Sequence, residues 1–311
     1  MHTPKALIVY FSQGGTNARV ADAIAAVIRK AGYEINSWNL RDGRAPDIRG
    51  YQLLGIGSPV YYFHLPLNVT HYVQHLPDLG RIPAFVFIVH GSHRIDTPNW
   101  LRRTLERKGA REVGYFHCRG EAHVLPLLRE GYLFSPDRPS EHELLEAKTF
   151  GEAVAARAAG APYDRPPLES KPPLIYRLER LLASRWLMEH FYSRLFRVDS
   201  SKCTACGLCV DICPTGNITR DPHGFPKWDR RCLVCLSCEM KCPEEAIISA
   251  LSRPLPGALL RLVFRYDVRR WVREGELMYV RVIHRRGAIR RLGAVRGNER
   301  ALRINECTTV P

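Results

Sequence analysis

The sequence predicts a doubly wound α/β domain with a parallel sheet, followed by a small cysteine-rich domain and a basic C-terminal extension. Three observations carry this. Apolar runs alternate with amphipathic stretches over residues 1–160, eight of the ten cysteines fall between Cys203 and Cys242, and residues 251–311 hold fourteen arginines, no lysine and five acidic residues. A chain of 311 residues has room for about two domains. With 45% hydrophobic and 25% charged residues, its composition is that of a globular protein. No apolar run approaches the ~18 residues of a membrane span, so a membrane-spanning protein is not expected. Met1–Lys5 runs directly into a strand pattern, so no removable leader is expected either.

Lys5–Phe11, Tyr51–Ile56, Ala84–His90 and Val113–Cys118 read as strands, and Tyr33–Trp38 as a weaker fifth. Thr16–Ala31, Leu67–Leu76, Thr97–Gly109 and Ser140–Ala159 read as the intervening helices, with Ser140 and Glu143 forming a capping box. Alternation of this kind gives a five-stranded parallel sheet with helices on both faces. Gly160–Pro173 holds five prolines and reads as a semi-rigid linker. Leu174–Phe196 then reads as one long amphipathic helix, with Leu178, Leu182 and Trp186 on one row and Leu187, Phe191 and Leu195 on another. The expected division is therefore 1–160, a linker and helix over 161–197, a cysteine domain over 198–250, and an extension over 251–311.

Cys203, Cys206, Cys209 and Cys213 are spaced C-x2-C-x2-C-x3-C with Pro214 next, and the same pattern recurs 29 residues on as Cys232, Cys235, Cys238, Cys242 and Pro243. Such a crowd of cysteines in a long chain points to metal binding rather than a disulfide scaffold. Zinc hooks do not need the third x2 cysteine or the proline. The duplicated run resembles the bacterial two-cluster ferredoxins, a small α+β fold. That resemblance implies crossed ligation: Cys203, Cys206, Cys209 and Cys242 around one [4Fe–4S] cluster, and Cys232, Cys235, Cys238 and Cys213 around the other. The short spacings suit three thiolates on one cubane, and the proline favours extended backbone leading to the second. Leu236 departs from the pattern, standing where the first repeat has Gly207.

In the α/β part, Ser12-Gln13-Gly14-Gly15-Thr16-Asn17 leaves the first strand and opens a helix. Glycines for close approach, hydroxyls and a helix N-terminus suit a monophosphate. Ser58-Pro59-Val60-Tyr61-Tyr62 and Gly91-Ser92-His93 leave two neighbouring strands at the same end of the sheet, where open α/β sheets bind ligands. Gly55-x-Gly57 is not a dinucleotide fingerprint, because Val60 stands where its third glycine belongs. These loops resemble those of the flavodoxin family. That implies FMN, its phosphate on residues 12–17, Tyr61 or Tyr62 stacked on its ring, and Gly91, Ser92 and His93 at its polar edge. His93 is a candidate cation there, and Arg94 reads as a solvated loop residue.

Residues 1–250 resemble the fused flavodoxin–ferredoxin proteins. Further likeness lies in Arg138-Pro139-Ser140 with Ala147-Lys148-Thr149-Phe150-Gly151, and in Leu195-Phe196-Arg197-Val198 leading into Cys203. The resemblance implies an electron carrier that passes single electrons between a donor, FMN, two clusters and a partner reductase. A flavin oxidoreductase acting on a small molecule, or a subunit of a membrane-associated reductase, are the alternatives; no catalytic triad, carboxylate dyad or second nucleotide site stands out. A cytoplasmic location, or one peripheral at the inner face of the membrane, is expected.

Pro256–Val272 reads as an arginine-flanked helix and Met278–Ile283 as a strand, suited to a membrane surface, an acidic partner or simple packing on the cysteine domain. No base-reading motif accompanies the charge of +15, so nucleic acid is not an expected partner. His64, His71 and His75 read as surface or loop residues, and Cys118 as buried and inert.

Overall fold

The structure is a computed structural model that describes residues 3–129, 131–182, 184–249, 252, 271–273, 277–285 and 288–295. Two compact units are present, one of residues 1–120 and 137–182, the other of 121–136 and 183–311.

In the first unit, β1 (Lys5–Tyr10), β2 (Glu34–Asn39), β3 (Leu53–Pro59), β4 (Pro83–His90) and β5 (Arg111–Arg119) form one parallel sheet in the order β2-β1-β3-β4-β5. This is the flavodoxin-like order, with its switch point between β1 and β3. Helices α1 (Thr16–Lys30), α2 (Leu67–Gln74) and α3 (Thr97–Arg107) follow the first, third and fourth strands. The sequence-derived strands and helices fall on these elements to within a few residues.

The largest core joins Ile8, Ile24, Phe85, Phe87, Val89 and Val154, all buried. Gly55 and Gly57 exist for packing, since a Cβ on either would run into the ring of Phe85 or Phe87 on the neighbouring strand. Cys118 is 5% exposed, and burial pushes its thiol up to about 12, which bears out the inert reading.

Between β5 and the last helix of the sheet domain the chain contributes α4 (Leu125–Arg129) and β6 (Tyr132–Phe134) to the second unit. The sequence reading had no element there. After α5 (Glu141–Ala158) comes α6 (Leu174–Leu182), which ends the first unit. The single long helix expected over Leu174–Phe196 is instead α6, a separate α7 (Arg185–His190) and a 3-10 turn at Tyr192–Leu195. Ser184, with extended backbone, starts α7 afresh.

The cysteine-rich part of the second unit is small and duplicated. Strand β7 (Arg197–Val198) pairs antiparallel with β10 (Ile247–Ile248), and β8 (Ile218–Arg220) with β9 (Pro226–Trp228). The two short helices, α8 (Leu208–Asp211) and α9 (Ser237–Met240), are 29 residues apart, the period of the cysteines. Further on, β11 (Leu277–Arg285) joins β6 and β12 (Ala288–Val295) in an antiparallel sheet.

Trp271 is 2% exposed in a small core with Leu127, Phe134 and Leu277. The expected strand at Met278–Ile283 lies within β11. The expected helix over Pro256–Val272 lies outside the described residues except at its end. Among the described residues, no helix is long and apolar enough to cross a membrane.

Candidate functional site

Three loops leave the carboxyl ends of β1, β3 and β4, adjacent in the sheet. In the first, Gly15 has φ +87° and caps α1, a left-handed conformation that suits glycine. A Cβ on Gly14 or Gly15 would meet nothing within 4 Å, so the space beyond the helix N-terminus is open. Ser12 is buried and its Oγ accepts a hydrogen bond from the Ala18 N–H at 3.2 Å. Asn39, at the end of β2, fixes the loop by accepting from the Ser12 N–H (3.1 Å) and donating to the Ser12 carbonyl (2.9 Å). Sequence reading missed Asn39; its signal was a polar residue closing the strand beside β1. Asn17 is 1% exposed, and its Oδ1 has no partner among the described residues. An orphaned buried amide beside an open helix N-terminus fits a polar ligand there.

The second loop places Ser58 fully buried, its hydroxyl donating to the Pro59 carbonyl at 2.9 Å. Tyr61 exchanges backbone hydrogen bonds with His64 and sets its ring edge-on to Phe11. Tyr62 and Phe63 both have positive φ, at 50° and 63°. In the third loop, Gly91, Ser92 and His93 are all half-buried. His90 donates through Nδ1–H to the Ser92 carbonyl (3.0 Å).

Residues beyond α5 reach both loops. The Tyr176 ring lies 5.3 Å from that of Phe63 and 5.5 Å from that of His93. Arg180 bonds the Phe63 carbonyl and pairs with Asp96 at 2.7 Å, while His64 Nε2 lies 3.1 Å from the Arg180 carbonyl. Arg94 is not a solvated loop residue: it forms a two-pronged pair with Glu169 at 2.9 and 3.1 Å, and Tyr115 donates to the same carboxylate at 2.9 Å. Burial works against that carboxylate, but the bonds from Arg94 and Tyr115 hold Glu169 below its usual range. Tyr115, Glu169, Tyr176 and Arg180 carried no motif that pattern reading could detect. His71 and His75 stack at 4.1 Å between ring centroids.

None of the nine described cysteines is in a disulfide. Cys203, Cys206, Cys209 and Cys242 line one hollow, with Pro243 and Ile247. Cys213, Cys232, Cys235 and Cys238 line a second, with Phe196, Trp228 and Leu233. Among the described residues no three ligand-type side chains close on a single-ion point.

Backbone N–H groups reach the sulfurs at matching places, from Asn217 to Cys213 (3.3 Å) and from Ala246 to Cys242 (3.4 Å), with Val234 to Cys232 at 3.3 Å. Burial pushes the thiols of Cys209 and Cys232 up to about 11 and about 12, and Cys238 well above the usual range. Buried thiols of this kind ionise with a cationic partner such as iron, and four soft sulfur donors per hollow fit a cubane.

Residues 7–126 match the flavodoxin domain family, and residues 196–219 the 4Fe-4S binding domain family. An uncharacterized ferredoxin of Methanocaldococcus jannaschii is 38% identical over 61 residues, which cover 18% of this chain and 79% of that protein. The pyruvate synthase subunit PorD of the same organism is 42% identical over 57 residues, 17% of this chain and 66% of that subunit. A solved flavodoxin from the domain Archaea covers 50% of this chain and 99% of its own at 16% identity and a TM-score of 0.39. Fold and cysteine constellation together define an electron-transfer protein with flavin and 4Fe–4S sites. The chain joins a flavodoxin domain to a 4Fe-4S ferredoxin domain, a fused flavodoxin–ferredoxin architecture.

Proposed function

We propose that this protein passes single electrons between a donor, FMN, two [4Fe–4S] clusters and a partner reductase. The FMN domain lies within residues 1–160, less 121–136, which belong to the second unit; 161–197 are a connecting segment whose first part, to 182, belongs to the first unit, 198–250 the two-cluster domain and 251–311 an extension. The observation that carries the reading is the sorting of the eight cysteines into two hollows of four, each drawing one thiol from the other repeat. Cys203, Cys206, Cys209 and Cys242 hold one cluster; Cys232, Cys235, Cys238 and Cys213 hold the other. FMN takes electrons one or two at a time and each cubane one, so bound together they convert two-electron into one-electron flow.

The chain's own residues bind and tune. Ser12, Gln13, Gly14, Gly15, Thr16 and Asn17 hold the phosphate through N–H groups and the α1 dipole. Ser58, Pro59, Val60, Tyr61 and Tyr62 flank the ring on one side, and Gly91, Ser92 and His93 meet its polar edge. Backbone N–H bonds to Cys213, Cys232 and Cys242 stabilise the thiolates. The arginine-rich 251–311 extension is the segment for contact with a partner or an anionic membrane surface.

Anaerobic purification with metal, sulfide and flavin quantitation tests this. About eight iron, about eight labile sulfide and one FMN per chain are expected. Zinc in place of iron, or protein without bound flavin, overturns the reading.

A further inference from the structure

The 29-residue repeat allows the two cluster sites to be compared position by position. Helices α8 and α9 coincide under the shift, and so do the positive-φ residues: Ala205 with Val234, Gly207 with Leu236, and Gly216 with Glu245. With the backbone held in common, differences between the sites come from side chains.

Three such differences point the same way. Gly207 leaves its Cβ position to the Arg220 guanidinium, which also donates to the Ala205 carbonyl at 3.2 Å, so a positive charge rests against the Cys203–Cys209 loop. In the second repeat Leu236 fills that position and is 3% exposed, and the counterpart of Arg220 is the buried Ser249. Next, the residue after the third cysteine is Val210 in the first repeat and Glu239 in the second. Glu239 is 1% exposed beside Cys238 and accepts from the Ser249 N–H at 3.1 Å. Last, Cys206 is exposed where its counterpart Cys235 is half-buried, and Cys203 and Cys209 are half-buried where Cys232 and Cys238 are each 8% exposed.

Reducing a cubane adds a negative charge to it. A neighbouring guanidinium and access to water favour that charge, and a buried carboxylate and apolar walls oppose it. We infer that the two sites are unequal in potential, with the Cys203, Cys206, Cys209 and Cys242 site holding the more easily reduced cluster and Arg220 and Glu239 setting the gap. An electron delivered to the second site then runs downhill to the first, where Cys206 is open to an acceptor. This rests on the two-cluster reading above.

The test is an anaerobic redox titration of the full-length holoprotein, following the clusters by electron paramagnetic resonance and the flavin by absorbance. Two resolved one-electron cluster steps are expected. Arg220→Ser lowers the upper step and leaves the lower in place, Arg220→Lys restores most of the shift, and Glu239→Gln raises the lower step alone. Because Arg220 is exposed, added salt narrows the gap. A single unresolved step in the wild type, or an Arg220→Ser variant that moves neither step or both equally, overturns the inference. Wild-type protein with only about four iron per chain instead fails the two-cluster reading on which it stands.

Discussion

The carbonyl oxygen of Phe63 accepts two hydrogen bonds from the Arg180 guanidinium, at 2.8 and 3.1 Å, although the residues lie 117 positions apart. The Thr97 hydroxyl donates to the same oxygen at 2.8 Å. Tyr62 and Phe63 are consecutive non-glycine residues with positive φ, a backbone that costs about 1–3 kcal/mol per residue and persists only where its surroundings impose it. Arg180 and Thr97 impose it, and so pre-shape a loop that flanks the proposed flavin ring. Arg180→Ala is expected to weaken FMN binding on the order of tenfold, about 1.4 kcal/mol. Titration of flavin-stripped protein with FMN checks this, and an unchanged dissociation constant would remove Arg180 from the site.

Arg102 is 1% exposed, and its charge is met by Glu112 at 2.8 Å and by the carbonyls of Pro166 (2.7 Å) and Pro167 (3.1 Å). Tyr163 donates to Glu112 as well, at 2.9 Å. Removing the guanidinium leaves two carbonyls without their donor and the half-buried Glu112 carboxylate with Tyr163 and the exposed Arg165 alone. Arg102→Met should therefore cost about 1–3 kcal/mol in urea unfolding followed by circular dichroism. Pairing it with Glu112→Leu should recover part of that loss, since the carboxylate deprived of its nearest partner goes too.

How far the sequence could be read follows from where each signal resides. Strands such as Ala84–His90 are apolar in local runs, and the cysteine repeat carries its own period; both were legible. The Pro166–Glu169 stretch read as a linker because prolines and polar residues look like one. Its attachment depends on Arg94, Asn99 and Arg102, at least 64 residues away in sequence, and no local pattern records such pairs. The same holds for Tyr132–Phe134, a strand too short to show alternation, whose partner β11 begins at Leu277. Among the candidate site residues, the glycines and cysteines stand out by spacing. Asn39 and Arg180 do not, since each acts through a loop remote in the chain.

Gly55 illustrates a glycine whose meaning only packing reveals. A Cβ there would overlap the Phe85 ring, which belongs to the main core. Gly55→Ala should cost about 1–3 kcal/mol through overpacking. Combining it with Phe85→Leu, which vacates the space, should give a double variant more stable than the two single losses predict. Strict additivity in thermal or urea unfolding would show that the ring moves aside at no cost.

His90 offers a pH test of the same sheet end. Burial first, and then neighbouring His117, push its imidazole down to about 3, while burial and Arg94 take His117 down to about 4. Both rings are thus neutral when folded at pH 5, whereas unfolded histidine protonates near 6.5. Between those values the unfolded chain binds more protons than the folded one. The contribution to stability is complete above about pH 6.5 and is lost as pH falls toward 3. From pH 6.5 to 5, His90 alone accounts for a loss on the order of 2 kcal/mol. Thermal unfolding of the flavin-loaded protein across that range should show a slope that His90→Gln flattens. An equal slope in both proteins would mean that the His90 ring takes up a proton in the folded state as readily as in water.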